Sequence, residues 1–193
     1  MACNISMTLY VISQFLAFLF VLVATPIDMF YVKELGRFSN AQCLTLWGGK
    51  EQCYSSTYDV SYDELWENCP HRRLQFRVAA TLAVISIFVY GLAFILGFIT
   101  LCCCICLRWV CLMLNIIGIG TVGAVWALMV VIYYNDDGLF CPRVSSRFDF
   151  GVGFALLVVA WCLNIINILF LLLECQAEDA GNEALRAQDA KQQ

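Results

Sequence analysis

The sequence predicts a membrane protein of the all-α class carrying a small β element: four transmembrane helices bundled together and topped at one end by a small antiparallel extracellular sheet stapled by disulfides. Three observations predict it. The chain of 193 residues is 62% hydrophobic and 13% charged, with a mean hydropathy of +0.78, outside the range of soluble domains. Four long apolar runs lack any Asp, Glu, Lys, Arg or His. Four cysteines lie in the two longer connections between those runs, beside residues that favour strands.

The runs cover roughly residues 8–27, 78–101, 109–134 and 151–173. At about 1.5 Å per residue each is long enough, as a helix, to cross a hydrocarbon layer of about 30 Å. The first lacks a basic flank, and Pro26 spoils a nearby small-residue cleavage site, so it reads as a retained anchor rather than a signal peptide. An even number of spans puts both termini on one side. The connections are a long loop (28–77), a tight turn (102–108), a second loop (135–150) and a polar tail (174–193), which together make a single four-span domain.

Charge and cysteine chemistry disagree about orientation. Eight Lys/Arg fall in the two longer loops (Lys33, Arg37, Lys50, Arg72, Arg73, Arg77, Arg143, Arg147), against Arg108, Arg186 and Lys191 on the other face. The positive-inside rule would place the longer loops in the cytoplasm. Cysteines argue the reverse: Cys43, Cys53, Cys69 and Cys141 form an even set in those loops, suited to disulfides on an oxidising side. Cys102, Cys103, Cys104 and Cys106 crowd the juxtamembrane turn opposite them, and Cys175 follows the fourth span. Palmitoylation is natural at such positions; three consecutive cysteines point in divergent directions and make a poor zinc site. The cysteines are weighted above the charges, which puts the longer loops on the oxidising side and the termini on the opposite, cytoplasmic side.

Within the first loop, Cys43-Leu-Thr-Leu-Trp-Gly-Gly-Lys-Glu-Gln-Cys53 brackets a turn signal with two cysteines. Opposing Cys43 and Cys53 in a hairpin centres it on Gly48, with loop Trp47-Gly48-Gly49, flanks Leu46 and Lys50, and Gly49 in the left-handed position. Opposed Cα atoms lie about 4.5 to 5.5 Å apart, which a disulfide tolerates. That pairing leaves Cys69 and Cys141 to tie the loops together, although four cysteines allow three pairings, and four free thiols remain the alternative. Leu44 to Trp47, and Tyr54, Thr57, Tyr58, Val60 and Tyr62, favour strands. Residues 63–67 and 74–77 lead into the second span as helix, with Arg72, Arg73 and Arg77 at headgroup level.

Inside the spans Gln14, Asn115 and Asn167 lie at equal depth, six residues or about 9 Å from the turn-side ends of their helices. Amides in lipid pair across helices at about 0.6 to 2 kcal/mol each. They are expected to form a polar layer joining the first, third and fourth spans, as packing glue more than as a permeation path. Gly118, Gly120, Gly123, Ala124 and Ala127 give small-xxx-small spacings for close helix packing.

No chemistry is legible. The one histidine, His71, stands beside Arg72 and Arg73, and no HExxH, GxSxG or phosphate-binding glycine loop occurs. The chain is expected to be no enzyme, to need no cofactor or metal, and to bind no nucleic acid. The only sequon, Asn4-Ile5-Ser6, lies on the termini side and close to the first span, so N-glycosylation is not expected.

Cys43, Leu44, Thr45, Leu46, Trp47, Gly48, Lys50 and Cys53 resemble the signature of the amastins, surface proteins of trypanosomatid parasites. Length, four spans and a large first loop agree with that family. A fainter resemblance is to the claudin and peripheral-myelin-protein superfamily, which has four spans and a cysteine pair in the first outer loop. There, the tryptophan precedes the first cysteine, whereas Trp47 lies between the two. These resemblances imply a claudin-like left-handed bundle under a small sheet, and a plasma-membrane protein contacting a host membrane or host surface protein through its loops. Tyr31, Phe38, Tyr54, Tyr58, Tyr62 and Trp66 are the aromatics available for such contact. The alternatives are an oligomeric ion or proton conduit or its regulator, and a lateral membrane scaffold; a homo-oligomer is compatible with each.

Overall fold

The computed structural model describes residues 5–33, 42–53, 55, 57–102, 107–136, 138 and 141–192, with only the backbone of 102 and of 174–192. Phe38, Tyr54, Ser56, Asn4 and the cysteines at 103, 104 and 106 lie outside the described residues, as do the side chains of Cys102 and Cys175.

Four long helices carry the apolar runs: α1 (Ile5–Ala24), α3 (Pro70–Cys102), α4 (Arg108–Tyr134) and α5 (Val152–Gln192). Each contains a segment long and apolar enough to cross a membrane. α1 stops at Ala24 instead of reaching Ile27, because Pro26 disfavours helical backbone in the residue before it. α3 begins well before the apolar run, at Pro70, where proline suits a first helical turn. A short helix α2 (Tyr62–Leu65) precedes it, capped by the Ser61 hydroxyl, which accepts from the Glu64 amide at 3.4 Å. Tyr62, expected in a strand, therefore opens a helix. α1 packs on α3 and α5, and α4 packs on the same two, closing a four-helix bundle.

Above one end lies a five-stranded antiparallel sheet of β1 (Phe30–Val32), β2 (Cys43–Leu44), β3 (Gly48–Lys50), β4 (Val60–Ser61) and β5 (Phe148–Phe150), in the order β4-β3-β2-β1-β5. The fold class matches the expectation from sequence, while the strand contributed by the second loop goes beyond it. β1 sits between the two loops, with Phe30 opposite Leu44 on one side and Phe150 on the other. Phe30, Tyr133, Phe150 and Phe154 stack in sequence, at centroid separations of 6.0 Å (Phe30–Tyr133) and 4.2 Å for each of the next two pairs. This aromatic column continues the bundle core into the sheet.

The hairpin departs from the expected register. Cys43 opposes Lys50, and Leu44 opposes Gly49, so the turn is centred between Leu46 and Trp47. The cause is Thr45: its hydroxyl donates to the Gly48 carbonyl (3.0 Å) and accepts from the Trp47 and Gly48 amides (3.1 and 3.2 Å), while its amide donates to the Gly48 carbonyl (2.9 Å). That closes a tighter turn than Trp47-Gly48-Gly49. The positive-φ residue is Gly48 (φ 156°), not Gly49.

The small residues of α4 divide as well. A Cβ on Gly118 would lie 2.8 Å from Tyr90 Cε2, so this glycine does allow close approach. Gly120 has nothing within 4 Å and is exposed. Its spacing to Ala124 therefore reflects no packing within the chain, in contrast to the expectation.

Two substitutions separate the hairpin registers. Gly48→Ala would drive a methyl into the Val60 carbonyl in a backbone conformation that side chains avoid, and is expected to cost about 1–3 kcal/mol or more in detergent unfolding. Gly49→Ala meets only Leu44 and Leu65 side-chain carbons, at 3.8 Å and beyond, and is expected to leave the melting temperature near wild type. The expected hairpin with Gly49 left-handed would give the opposite ranking.

Candidate functional site: the stapled platform and the polar seam

Two groups of residues stand out: the stapled signature at the sheet end, and a polar seam within the bundle. Cys43 bonds to Cys53 with Cα atoms 5.4 Å apart, although Cys53 is not its opposite residue. The chain turns after Lys50 and brings Cys53 back over β2. Cys69 bonds to Cys141, at 6.0 Å, tying the approach to α3 to the second loop. Among the described residues Cys111 and Cys162 are free thiols.

The signature residues are mostly buried. Cys43, Leu44, Thr45 and Leu46 are each 2% exposed or less. The turn points inward: Leu46 belongs to the main core cluster, and Trp47 packs on it half-buried. The Trp47 carbonyl also accepts from the Tyr62 amide at 3.3 Å, joining the turn to α2. Lys50 donates from its ammonium to the Ser55 carbonyl (2.9 Å) and lies 4.6 Å from the centre of the Tyr58 ring. A carbonyl and a π face thus hold a mostly buried cation, a recognised arrangement for lysine. The neighbouring Ser55 and Thr57 hydroxyls bond each other at 2.7 Å.

Arg72 turns into the protein, not out toward solvent. It is 1% exposed. Its guanidinium donates to the carbonyls of Pro142 (3.0 Å), Cys141 (3.2 Å) and Asn135 (3.5 Å), and stacks 4.8 Å over Trp66. Helical spacing turns Arg73 and Arg77 elsewhere, toward Asp63, at 3.9 and 3.0 Å. An open cleft beside β1 and β5 is lined by Val32, Lys33, Gln42, Ser146, Arg147 and Phe148. Lys33 is held there by the Ser145 carbonyl (2.6 Å) and Asp149 (3.4 Å).

In the bundle, Asn167 Nδ2 donates to Gln14 Oε1 at 2.6 Å, and Gln14 Nε2 donates to the Tyr90 carbonyl at 3.5 Å. Asn115 Nδ2 donates to the Tyr10 hydroxyl (3.0 Å) and the Cys111 carbonyl (2.7 Å). Asn164 Nδ2 donates to the Asn115 carbonyl (2.9 Å). Sequence reasoning passes over Asn164, Tyr10 and Tyr90. Asn164 lies nearer the middle of its span than the other amides, and phenol groups read as apolar when spans are scored. All four long helices meet in this seam. Among the described residues no three His, Cys, Asp or Glu side chains gather as a metal site.

A bundle of four apolar helices under a disulfide-stapled sheet defines a polytopic membrane protein with a folded loop platform. The model of the amastin surface glycoprotein family matches residues 15–171, so the chain belongs to that family. No curated protein matches the chain.

Thr45→Val keeps the shape of the side chain and removes the hydroxyl that closes the turn. It is expected to cost about 1–3 kcal/mol, measured by thermal unfolding, and to make the Cys43–Cys53 bond easier to reduce. Unchanged stability would mean that the turn closes without that hydroxyl.

Proposed function

We propose that this amastin is a plasma-membrane surface protein with cytoplasmic termini, whose sheet platform makes contact with a host membrane or host surface protein and performs no catalysis. The observation that carries this reading is the pair of disulfides, Cys43–Cys53 and Cys69–Cys141, at the sheet end of the bundle. Disulfides persist on the oxidising side of a membrane, which favours an outward platform over the orientation the loop charges suggest.

The buried signature narrows where contact is made. Leu44, Thr45 and Leu46 brace the platform and cannot touch a partner without unfolding it. Exposed groups remain: Tyr58 at 41% and Val60 at 37%, at the β4 edge, and the cleft lined by Lys33 and Arg147. Tyrosine beside an aliphatic residue suits a contact surface.

Orientation is tested on intact cells expressing the protein, with a membrane-impermeant reductant and maleimide. Labelling of Cys43, Cys53, Cys69 and Cys141 only after reduction, without permeabilisation, is expected; labelling that needs permeabilised cells overturns the orientation. Contact is tested by surface crosslinking during infection. Tyr58→Ser together with Val60→Ser is expected to reduce the crosslinked host partner severalfold at unchanged surface level. Capture unaffected by this pair, and by charge reversal at Arg147, overturns the contact reading.

A further inference from the structure

The cleft beside β1 and β5 has a volume of about 670 Å³ and is lined, among the described residues, by Val32, Lys33, Gln42, Ser146, Arg147 and Phe148. The strand register brings its two cations together. Val32 lies opposite Phe148, and one step further along the ladder the Lys33 amide donates to the Arg147 carbonyl at 3.1 Å. Like charges on neighbouring strands repel each other, yet both line this one cleft.

The two cations are not equally committed. Lys33 donates to the Ser145 carbonyl (2.6 Å) and meets Asp149 at 3.4 Å, which leaves one of its three ammonium protons. Asp149 also accepts from the Tyr133 hydroxyl at 3.2 Å and is not one of the lining residues. Arg147 is exposed, and no carboxylate among the described residues pairs with it, whereas Arg143 in the same loop is paired with Asp136 at 3.5 Å. An anion therefore reaches the Arg147 fork without displacing an ion pair. A guanidinium fork suits the two oxygens of a carboxylate or sulfate.

Volume and lining narrow the ligand further. Small-molecule sites occupy about 300–1,000 Å³, so a bare ion would leave most of this cleft unfilled. Val32 and Phe148, opposite each other and half-buried, supply an apolar wall, and the Gln42 amide is both donor and acceptor. We propose that the cleft binds an acidic sugar, sulfated or carboxylated, with its anion on Arg147 and Lys33, its C–H face against Phe148 and a hydroxyl at Gln42. The cations stand at the end of β5 away from α5 and its span, which favours a ligand from outside over a headgroup of the protein's own bilayer. That the sugar belongs to a host surface rests on the contact reading above; binding itself does not.

The full chain in phosphatidylcholine nanodiscs tests the site apart from any host cell, by saturation-transfer NMR with glucose 6-sulfate, glucuronate, glucose and inorganic sulfate. At least one of the two acidic sugars is expected to bind severalfold more tightly than glucose, with saturation on its ring protons, and to be displaced by inorganic sulfate only at severalfold higher concentration. Raised salt weakens it, as for any exposed ion pair. Arg147→Gln and Lys33→Gln, each at unchanged melting temperature, are expected to weaken binding severalfold, and Phe148→Leu to erase the advantage of the acidic sugar over bare sulfate. Glucose binding as well as its acidic forms would deny the cations a role, and sulfate competing at equal concentration would mean an ion site without sugar recognition. Displacement by phosphatidylserine added to the nanodisc would mean a headgroup site. Each of these overturns the proposal, as does no saturation transfer to either acidic sugar, or binding that survives both charge-removing substitutions. Host-cell capture that persists while this titration fails would overturn the ligand and leave the contact reading standing.

Discussion

The guanidinium of Arg72 holds the two loops together. It stands in the first turn of α3, buried, with its donors on three carbonyls of the second loop and its plane against Trp66. A buried cation needs its donors occupied, and carbonyls of a loop need donors once they are shielded from water. Each requirement is met by the other. Charge-assisted bonds of this kind contribute about 1.5–3 kcal/mol each, and Arg72 concentrates three of them on a segment with little regular structure of its own.

The sheet is anchored through that junction. The second loop held by Arg72 and by the Cys69–Cys141 bond leads through residues 144–146 into β5. β5 is an edge strand with one partner, β1, to which it is joined along Phe30–Phe150, Tyr31–Asp149 and Val32–Phe148. β1 in turn carries β2 and the signature turn, whose Leu46 reaches into the bundle core. The strands of the sheet are only two or three residues long, so it relies on the apolar face it packs against the bundle. Fastened at α3, plugged by Leu46 and backed by the Phe30–Tyr133–Phe150–Phe154 column, it becomes a rigid extension of the helices. That rigidity suits a platform that presents Tyr58 and Val60 in a fixed geometry.

How far the sequence discloses this differs by residue. Hydropathy alone gives four helices, because spans must satisfy their backbone internally. The cysteines and strand formers give a small sheet. Arg72 is opaque: in a run with His71 and Arg73 it looks like a headgroup cluster, and only the return of the second loop gives it carbonyls to bond. β5 is opaque for a related reason, since Phe148-Asp-Phe150 is too short to signal a strand until β1 is beside it. The hairpin register turns on one hydroxyl, Thr45, whose local bonds override the pattern of two glycines. In the membrane, equal depth draws attention to Gln14, Asn115 and Asn167, but depth does not reveal Asn164 or the two tyrosines, whose place depends on how the helices are rotated.

Hydrogen–deuterium exchange of the whole chain in lipid nanodiscs, comparing wild type with Arg72→Gln, tests the claim that the platform depends on this one side chain. Protection is expected to fall severalfold over residues 141–151 and equally over residues 29–32, while the centres of α1 and α4 exchange as slowly as before. Protection of residues 29–32 that stays at the wild-type level while 141–151 loosens would contradict that claim, because the sheet would then stand without the junction at Arg72.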